Sequence, residues 1–302
     1  STSSKLSDAM KYTLTLIGNS AASLTDEWVA TASGGLPNSS PPDWLREGLA
    51  CDIHFEADDG ATFVPALHAK LTSAKIDLCI QPAVDRRKLL LVADMDSTII
   101  QQECIDELAA ELGLKDKISD ITARAMRGEI EFEPALRERV GLLKGLPLAA
   151  LESVYRNRIT EMPGGRTLVA TMKKHGATCA LVSGGFTFFT ERVAAAVGFD
   201  INRANTLLFV DGKLSGEVAT PILGRQAKID SLVELRDARG LPKIATLAVG
   251  DGANDLGMIE EAGLALHAKP VVAEAADARI DHGDLTALLY LQGYRASEFV
   301  SA

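Results

Sequence analysis

Three short apolar runs, each followed directly by polar residues, stand out in the hydrophobic pattern of the chain. A continuous apolar run of this length suits a strand that is buried on both faces of a parallel sheet. In open sheets of this kind, ligands bind beyond the carboxyl ends of the strands. The pattern therefore predicts an α/β domain with a polar site at one edge of its sheet. The runs are LLLVA at 89–93, ATCALV at 177–182 and IATLAV at 244–249.

The segments that follow residue 164 have apolar residues at three- and four-residue spacing, which is typical of helices. Helices that alternate with buried strands cover both faces of a mainly parallel sheet. We expect such helices at 166–175, 187–197, 226–239 and 255–262, with a β-hairpin at 207–218.

Between the first and second runs, residues 101–162 show only the helical pattern. An insertion at this point predicts a helical cap over the site, and caps of this kind exclude water and complete the pocket when they close. The expected cap helices lie at 104–112, 118–127, 132–142 and 148–157.

Residues 11–84 alternate strand and helix patterns and predict a small α+β domain. We therefore expect one domain at 1–86 and a second at 87–302, joined by a linker at 82–88. The expected strands of the first domain lie at 12–17, 51–56 and 76–81, its helices at 24–32 and 63–71, and a loop at 34–42.

Composition excludes several classes of function. The formal net charge of -10 argues against nucleic acid and anionic membrane surfaces as partners. There is no run of about 18 apolar residues, so no transmembrane helix is expected. The four cysteines occur singly, which argues against zinc or redox chemistry and favours reduced, buried thiols in the cytoplasm.

The polar residues after the three runs each have an ordinary structural interpretation. Asp, Ser and Thr are common in turns and helix caps, and Ser97 with Thr98 could cap a helix that begins near Ile99. The sequence SGG at 183–185 could be a tight turn, and the lone Lys228 could be solvated. Taken singly, these residues do not separate structure from chemistry.

Taken together and in order, they resemble the motif series of the haloacid dehalogenase-like phosphatases. The series is DMDST at 94–98, SGG at 183–185, Lys228 and GDGAND at 250–255. The wider sequences ADMDSTIIQQECIDELA, LRERVGLLKGLP, LVSGGF and VGDGANDL are similar to the branch of this family that acts on O-phospho-L-serine. The resemblance covers about residues 87–292. It implies a Rossmann-like parallel sheet core with an inserted helical cap.

The resemblance also implies roles for the strand-end residues. Asp94 would be the nucleophile, because an aspartate can form an acyl-phosphate intermediate. Asp96 would protonate the leaving oxygen and then take a proton from water. Mg²⁺, which prefers oxygen ligands, would be bound by Asp94, Asp251 and a backbone oxygen of Asp96, with Asp255 as support or a further ligand.

Substrate contacts follow from the same resemblance. Ser183, Gly184, Lys228 and Asn254 would contact the phosphoryl group. Glu103 would pair with a substrate ammonium and Arg139 with a carboxylate, while Met126 and Phe132 would cover the ligand. The helical pattern does not separate Arg139 from Arg137, and surface pairing or core packing would also suit these cap residues.

The expected function is Mg²⁺-dependent hydrolysis of O-phospho-L-serine through an aspartyl-phosphate, the last step of serine biosynthesis. Two alternatives remain: a phosphatase for another small phosphomonoester, and an amino-acid sensor with a vestigial phosphatase. The order of elements in the first domain is faintly similar to amino-acid-binding ACT domains, although no residue motif carries that likeness. A regulatory or a dimerising role, with a homodimer, would both fit.

Overall fold

The computed structural model describes residues 9–262, 264–266 and 278–301. The described residues form two compact units. The first comprises the chain up to Arg87 together with Arg279–Phe299, and the second comprises Lys88–Ala278 and the last residues from Val300. A division at residue 86 or 87 was expected, but the return of a C-terminal segment to the first unit was not.

The elements are as follows. The strands are β1 (Met10–Ile17), β2 (Asp43–Arg46), β3 (Ala50–Ala57), β4 (Asp77–Pro82), β5 (Leu90–Ala93), β6 (Thr178–Phe186), β7 (Ile201–Asn205), β8 (Leu207–Val210), β9 (Lys213–Val218), β10 (Thr246–Gly250), β11 (Leu264–Leu266) and β12 (Ala278–Ile280). The helices are α1 (Asp26–Ser33), α2 (Val64–Leu71), α3 (Cys104–Ala110), α4 (Lys115–Met126), α5 (Phe132–Leu142), α6 (Leu148–Arg158), α7 (Gly165–Lys174), α8 (Thr187–Val197), α9 (Arg225–Ala238), α10 (Leu256–Ala262) and α11 (Ala287–Leu291). No helix in the described ranges is long and apolar enough to cross a membrane.

The first unit is built on a four-stranded antiparallel sheet in the order β2-β3-β1-β4. Apolar side chains from β1, β3 and β4 form its core with side chains from α1 and α2. The short strand β2 was missed by sequence reasoning, because its four residues, DWLR, carry little strand pattern.

Buried polar contacts explain why the C-terminal segment belongs to the first unit. Arg86 lies in the stretch expected to be a linker, but its guanidinium pairs with Asp52 at 2.7 Å and donates to the carbonyl oxygens of Tyr290 and Leu291. The Asp77 carboxylate accepts hydrogen bonds from the backbone N–H groups of residues 281–283. These long-range contacts have no counterpart in the local sequence pattern.

The sheet of the second unit places β5 at its centre. Its strands run parallel in the order β11-β10-β5-β6-β7, and Leu90 of β5 pairs with Thr246 on one side and Thr178 on the other. Leu90 and Val92 form a core cluster with Leu232 of α9 and Met258 of α10. Helices α7 and α8 pack against β6. The expected α/β core is confirmed, and the three buried runs form β5, β6 and β10.

The cap consists of α3 to α6, inserted between β5 and α7 at nearly the expected positions. The helix expected near Ile99 was wrong, because α3 begins only at Cys104. The carbonyl oxygen of Met95 accepts hydrogen bonds from the N–H groups of residues 98–100, which closes a turn. Ser97 adopts a left-handed conformation in that turn, with φ at 56°. Ser97 and Thr98 therefore belong to a turn and do not cap a helix.

Candidate active site

The carboxyl ends of β5 and β10 bring three aspartates together. Asp94 directly follows β5 and Asp251 directly follows β10, and the two strands are parallel neighbours. Carboxylate oxygens of Asp94, Asp251 and Asp255 lie within 4.8 Å of one another, and all three residues are buried. These three aspartates and Lys228 are called the strand-end cluster below.

Lys228 supplies the positive charge of the strand-end cluster. It lies in the first turn of α9 and is 0% exposed. Its Nζ lies 2.5 Å from Asp255 Oδ1 and 3.1 Å from Asp94 Oδ1. Burial alone would lower the pKa of Lys228, but the charges of Asp255 and Asp94 outweigh it and hold that pKa above its ordinary value. The lysine is therefore charged and already in place beside Asp94.

Both carboxylate oxygens of Asp255 accept hydrogen bonds. Oδ1 accepts from Lys228, while Oδ2 accepts from the backbone N–H groups of Asp251 and Gly252 at 3.2 Å and 3.3 Å. Asp255 therefore orients Lys228 and the turn after β10. Its geometry favours a supporting role over direct binding of a metal ion.

Burial controls the protonation of the two motif carboxyls. Burial and then the charge of Asp255 raise the pKa of Asp94 well above its ordinary value. Burial and then the charge of Asp94 raise the pKa of Asp96 to about 7. A carboxyl group with a pKa near neutrality can both donate and accept a proton, which suits general acid and base catalysis.

The ligands available at the strand ends suit a hard divalent cation. Asp94 and Asp251 contribute carboxylate oxygens, and oxygen-only sites favour Mg²⁺, Ca²⁺ or Mn²⁺ over softer metals. Nearby, the buried Oδ1 of Asn254 has no hydrogen-bond partner among the described residues. A buried acceptor without a partner fits a site that is completed by a ligand.

The SGG sequence forms a second wall of the site. A tight turn was the structural alternative for residues 183–185, but β6 continues to Phe186 with a register shift between Val182 and Phe186. The Ser183 hydroxyl accepts the N–H of Gly185 at 2.9 Å, and Asn205 Nδ2 donates to the carbonyl oxygen of Gly184 at 2.9 Å. These contacts fix the backbone beside Asp94.

Phe132 of the cap closes over this wall. A Cβ atom at Gly184 would lie 2.6 Å from Phe132 Cζ, and one at Gly224 would lie 3.0 Å from Phe132 Cδ1. Two glycines thus provide the surface on which the Phe132 ring rests. Met126 lies against Gly252 in the same way.

A cavity of about 220 Å³ lies between the strand ends and the cap. Its lining does not include Lys228, Asp251 or Asp255. The cavity is lined by nine of the residues singled out in the sequence: Asp94, Asp96, Glu103, Met126, Phe132, Arg139, Ser183, Gly184 and Asn254.

Three charged residues of the cap line this cavity: Glu103, Arg139 and the exposed Glu131. Glu103 Oε1 accepts a hydrogen bond from the Ser97 hydroxyl at 2.7 Å, and burial followed by the charge of Asp96 raises the pKa of Glu103 to about 8. Arg139 is 5% exposed and lines the cavity. Arg137, in contrast, is exposed and pairs with Glu133 at 2.9 Å. Only Arg139 of these two arginines can reach a ligand in the cavity.

Sequence reasoning missed four residues that help to orient Glu103, Arg139 and the Gly184 backbone. Ser97 was interpreted as a possible cap and not as a partner of Glu103. Thr122 and Asp106 fit the helical spacing of α4 and α3 and attracted no notice, although both contribute to the surroundings of Arg139. Asn205 lies on β7, a strand that the pattern did not predict. Thr122 and Asn205 lie outside the motifs quoted above.

Comparisons with known proteins agree with this geometry. The model of the haloacid dehalogenase-like hydrolase family matches residues 91–260. The chain is 42% identical over 241 residues to a phosphoserine phosphatase of Streptomyces coelicolor, a match that covers 78% of this chain and 58% of that protein. The chain therefore spans little more than half the length of that relative.

Two solved structures are also similar. One is a haloacid dehalogenase family hydrolase of Salmonella enterica serovar Typhi, with 30% identity, a TM-score of 0.82 and coverage of 93% of this chain and 98% of that one. The other is a substrate-bound phosphoserine phosphatase, with 39% identity, a TM-score of 0.65 and coverage of 68% and 98%. The chain belongs to the haloacid dehalogenase-like hydrolase family, whose phosphatases generally use a divalent metal ion.

Proposed function

We propose that the protein is a Mg²⁺-dependent phosphatase that hydrolyses O-phospho-L-serine to L-serine and phosphate, the last step of serine biosynthesis. One observation carries the proposal. A single cavity is lined by Asp94 and Asp96, the two carboxyls needed for phosphoryl transfer, and by the cap residues Glu103 and Arg139, whose side chains can carry opposite charges. The names of the similar proteins support the same substrate.

In the first step, an Asp94 carboxylate oxygen attacks phosphorus, the bond from phosphorus to the serine oxygen breaks, and Asp96 gives its proton to that oxygen. L-Serine leaves and Asp94 carries the phosphoryl group. In the second step, water attacks phosphorus, Asp96 takes a proton from the water, and the bond to Asp94 breaks. The pKa of Asp96, raised to about 7, supports both of its tasks near neutral pH.

Charge neutralisation is the main contribution that phosphoryl transfer requires from the protein. Lys228 beside Asp94 supplies a fixed positive charge. Ser183 and the Gly184 backbone N–H would bind phosphoryl oxygens, and Asn254 would complete this part of the site. A Mg²⁺ ion held by Asp94, Asp251 and the backbone oxygen of Asp96 would add charge neutralisation, with Asp255 in support.

The cap would recognise the amino-acid part of the substrate. The Arg139 guanidinium can donate two parallel hydrogen bonds to a carboxylate, and Glu103 can pair with an ammonium group. Met126 and Phe132 would cover the bound ligand. A simple alkyl or sugar phosphate offers neither charged group, so this pair favours phosphoserine over the alternative phosphomonoesters.

The remaining expectations are also proposals. The antiparallel sheet of the first unit is compatible with an ACT-like domain that is regulatory or that forms a homodimer. All four cysteines are buried and none forms a disulfide bond, which supports the reducing cytoplasm as the compartment.

Phosphate release from O-phospho-L-serine and from a panel of phosphomonoesters tests the proposal, with Mg²⁺ and after chelation. We expect phosphoserine to have the highest kcat/KM and chelation to abolish turnover, with Mg²⁺ restoring it. Equal or higher kcat/KM for a sugar phosphate would contradict the proposal that O-phospho-L-serine is the substrate. Full turnover after chelation would contradict the proposed dependence on Mg²⁺.

A further inference from the structure

A chain of hydrogen bonds in the wall of the cavity connects three cap helices, and its members Thr122 and Arg139 line the cavity. Arg139 Nη1 of α5 donates to Thr122 Oγ1 of α4 at 3.0 Å, and Thr122 Oγ1 donates to Asp106 Oδ1 of α3 at 3.1 Å. Thr122 is 3% exposed and Arg139 is 5% exposed, so the contact between them is shielded from water, while Asp106 is half-buried. The Ser119 hydroxyl also hydrogen-bonds to Asp106.

The direction of these hydrogen bonds is determined by chemistry. A guanidinium can only donate and an ionised carboxylate can only accept, whereas a hydroxyl donates one bond and accepts others. The Thr122 hydroxyl must therefore point its hydrogen at Asp106 and its lone pairs at Arg139. Without Asp106, the hydroxyl could rotate and turn its hydrogen toward the guanidinium.

The guanidinium is held at two points. Nε donates to the carbonyl oxygen of Ala135 at 3.0 Å, one turn earlier in α5, and Nη1 donates to Thr122. Nη2 makes no hydrogen bond to any described residue, and Arg139 lines the cavity. The two contacts thus orient the planar group and leave further N–H donors available for a ligand.

We propose that Thr122, oriented by Asp106, is a positioning residue that determines how Arg139 presents its N–H donors to the substrate carboxylate. This inference rests on the proposed function, because it assumes a substrate with a carboxylate. A donor that is held in place before binding costs less to order, so its effect is expected in KM for that substrate.

The test compares Thr122→Val, Thr122→Ser and Asp106→Asn in the full chain. Valine keeps the shape of threonine and removes only the hydroxyl, while serine keeps the hydroxyl. kcat and KM are measured for O-phospho-L-serine and for p-nitrophenyl phosphate, which has no carboxylate.

We expect Thr122→Val to lower kcat/KM for phosphoserine by about 3- to 15-fold, mainly through KM, as for the loss of one hydrogen bond. The same variant should change kcat/KM for p-nitrophenyl phosphate by less than about twofold, because this substrate has no carboxylate for Arg139 to bind. Thr122→Ser should retain most of the native value. Asp106→Asn should show the same selective loss, which keeps the inference testable if Thr122→Val does not fold.

Equal losses on both substrates would overturn the inference, because they would indicate a general structural role. So would an unchanged KM for phosphoserine in both Thr122→Val and Asp106→Asn. Arg139→Ala is measured alongside. If it lowers kcat/KM for both substrates alike, the proposed function fails and this inference fails with it; if it is selective and Thr122→Val is not, only the inference fails.

Discussion

The strand-end cluster and the cap hold their charged side chains in different ways. At the strand ends, Lys228 contacts two carboxylates directly and all of the charged groups are buried. In the cap, Arg139 makes no ion pair with any described residue. Its protein partners are a carbonyl oxygen and a hydroxyl, and Glu103 likewise accepts from the Ser97 hydroxyl.

This difference indicates that the strand-end cluster and the cap contribute differently to the site. Charges that are paired and buried before the substrate arrives need no reorganisation during the reaction, which is the condition for electrostatic stabilisation of a transition state. Charges held by neutral groups keep their attraction for a ligand of opposite charge. Under the proposed function, the strand ends would therefore carry out phosphoryl transfer and the cap would select the substrate.

The largest effect is expected at the nucleophile. Asp94→Asn keeps the shape of the side chain, but the amide cannot attack phosphorus, so turnover of every substrate should fall by about 10⁴-fold or more. Circular dichroism should show a native fold. In the native enzyme, beryllium fluoride should form an adduct on Asp94; an adduct mapped to another side chain would reject the assignment.

Removing the cation of the strand-end cluster should damage both stability and chemistry. Lys228→Met leaves Asp94 and Asp255 buried without their partner, which should lower the free energy of unfolding by about 3–5 kcal/mol. Turnover should fall by about 10²- to 10³-fold on phosphoserine and p-nitrophenyl phosphate alike. Urea unfolding without metal and kinetics on both substrates check this. A loss confined to phosphoserine would contradict a role of Lys228 in the phosphoryl step.

In the cap, Arg139→Ala should act on one substrate only. Losing a charge-assisted contact to the carboxylate should lower kcat/KM for phosphoserine by about 10- to 150-fold. Hydrolysis of p-nitrophenyl phosphate should change little. Arg139→Lys should restore part of the loss, because an ammonium cannot reproduce the planar two-point contact. Full activity of the lysine variant would exclude that geometry, and Arg137→Ala is the matched control.

The smallest effect concerns pH. The pKa of Glu103 is raised to about 8, so this carboxyl is neutral below that pH and ionised above it. Only the ionised form attracts the substrate ammonium. The ratio of kcat/KM for phosphoserine to that for p-nitrophenyl phosphate should therefore rise by about tenfold between roughly pH 6.5 and pH 8.5. Glu103→Gln should flatten this rise; a native ratio that falls with pH would contradict the role of Glu103.

Much of the fold was predictable because its strands and helices follow from hydrophobic patterns in contiguous residues. The runs that became β5, β6 and β10 are almost entirely apolar, since their strands lie in the middle of a parallel sheet. Edge strands such as β7 and β2 carry weaker patterns and were missed. The four cap helices were predicted within a few residues, because each buries one side against its neighbours.

The motif residues of the candidate site were also predictable from the sequence. Asp94 and Asp251 directly follow β5 and β10, Asp96 comes two residues after Asp94, and Ser183 lies in the last part of β6, so linear motifs identify these residues. Parallel neighbouring strands then bring those ends together. The sequence also suggested an arginine of α5, but its helical pattern could not separate Arg137 from Arg139; the fold separates them, because it turns one toward solvent and the other into the cavity.

By itself, the sequence determined the α/β core, the inserted cap and the motif residues that meet at the strand ends. Only the tertiary structure decided that Arg86 and Asp77 tie residues 281–291 to the first unit, and that Thr122 links Arg139 to Asp106. The reason is physical. Strands and helices follow from the periodicity of neighbouring residues, whereas a hydrogen bond between residues 16 or 17 positions apart on different helices depends on how those helices pack.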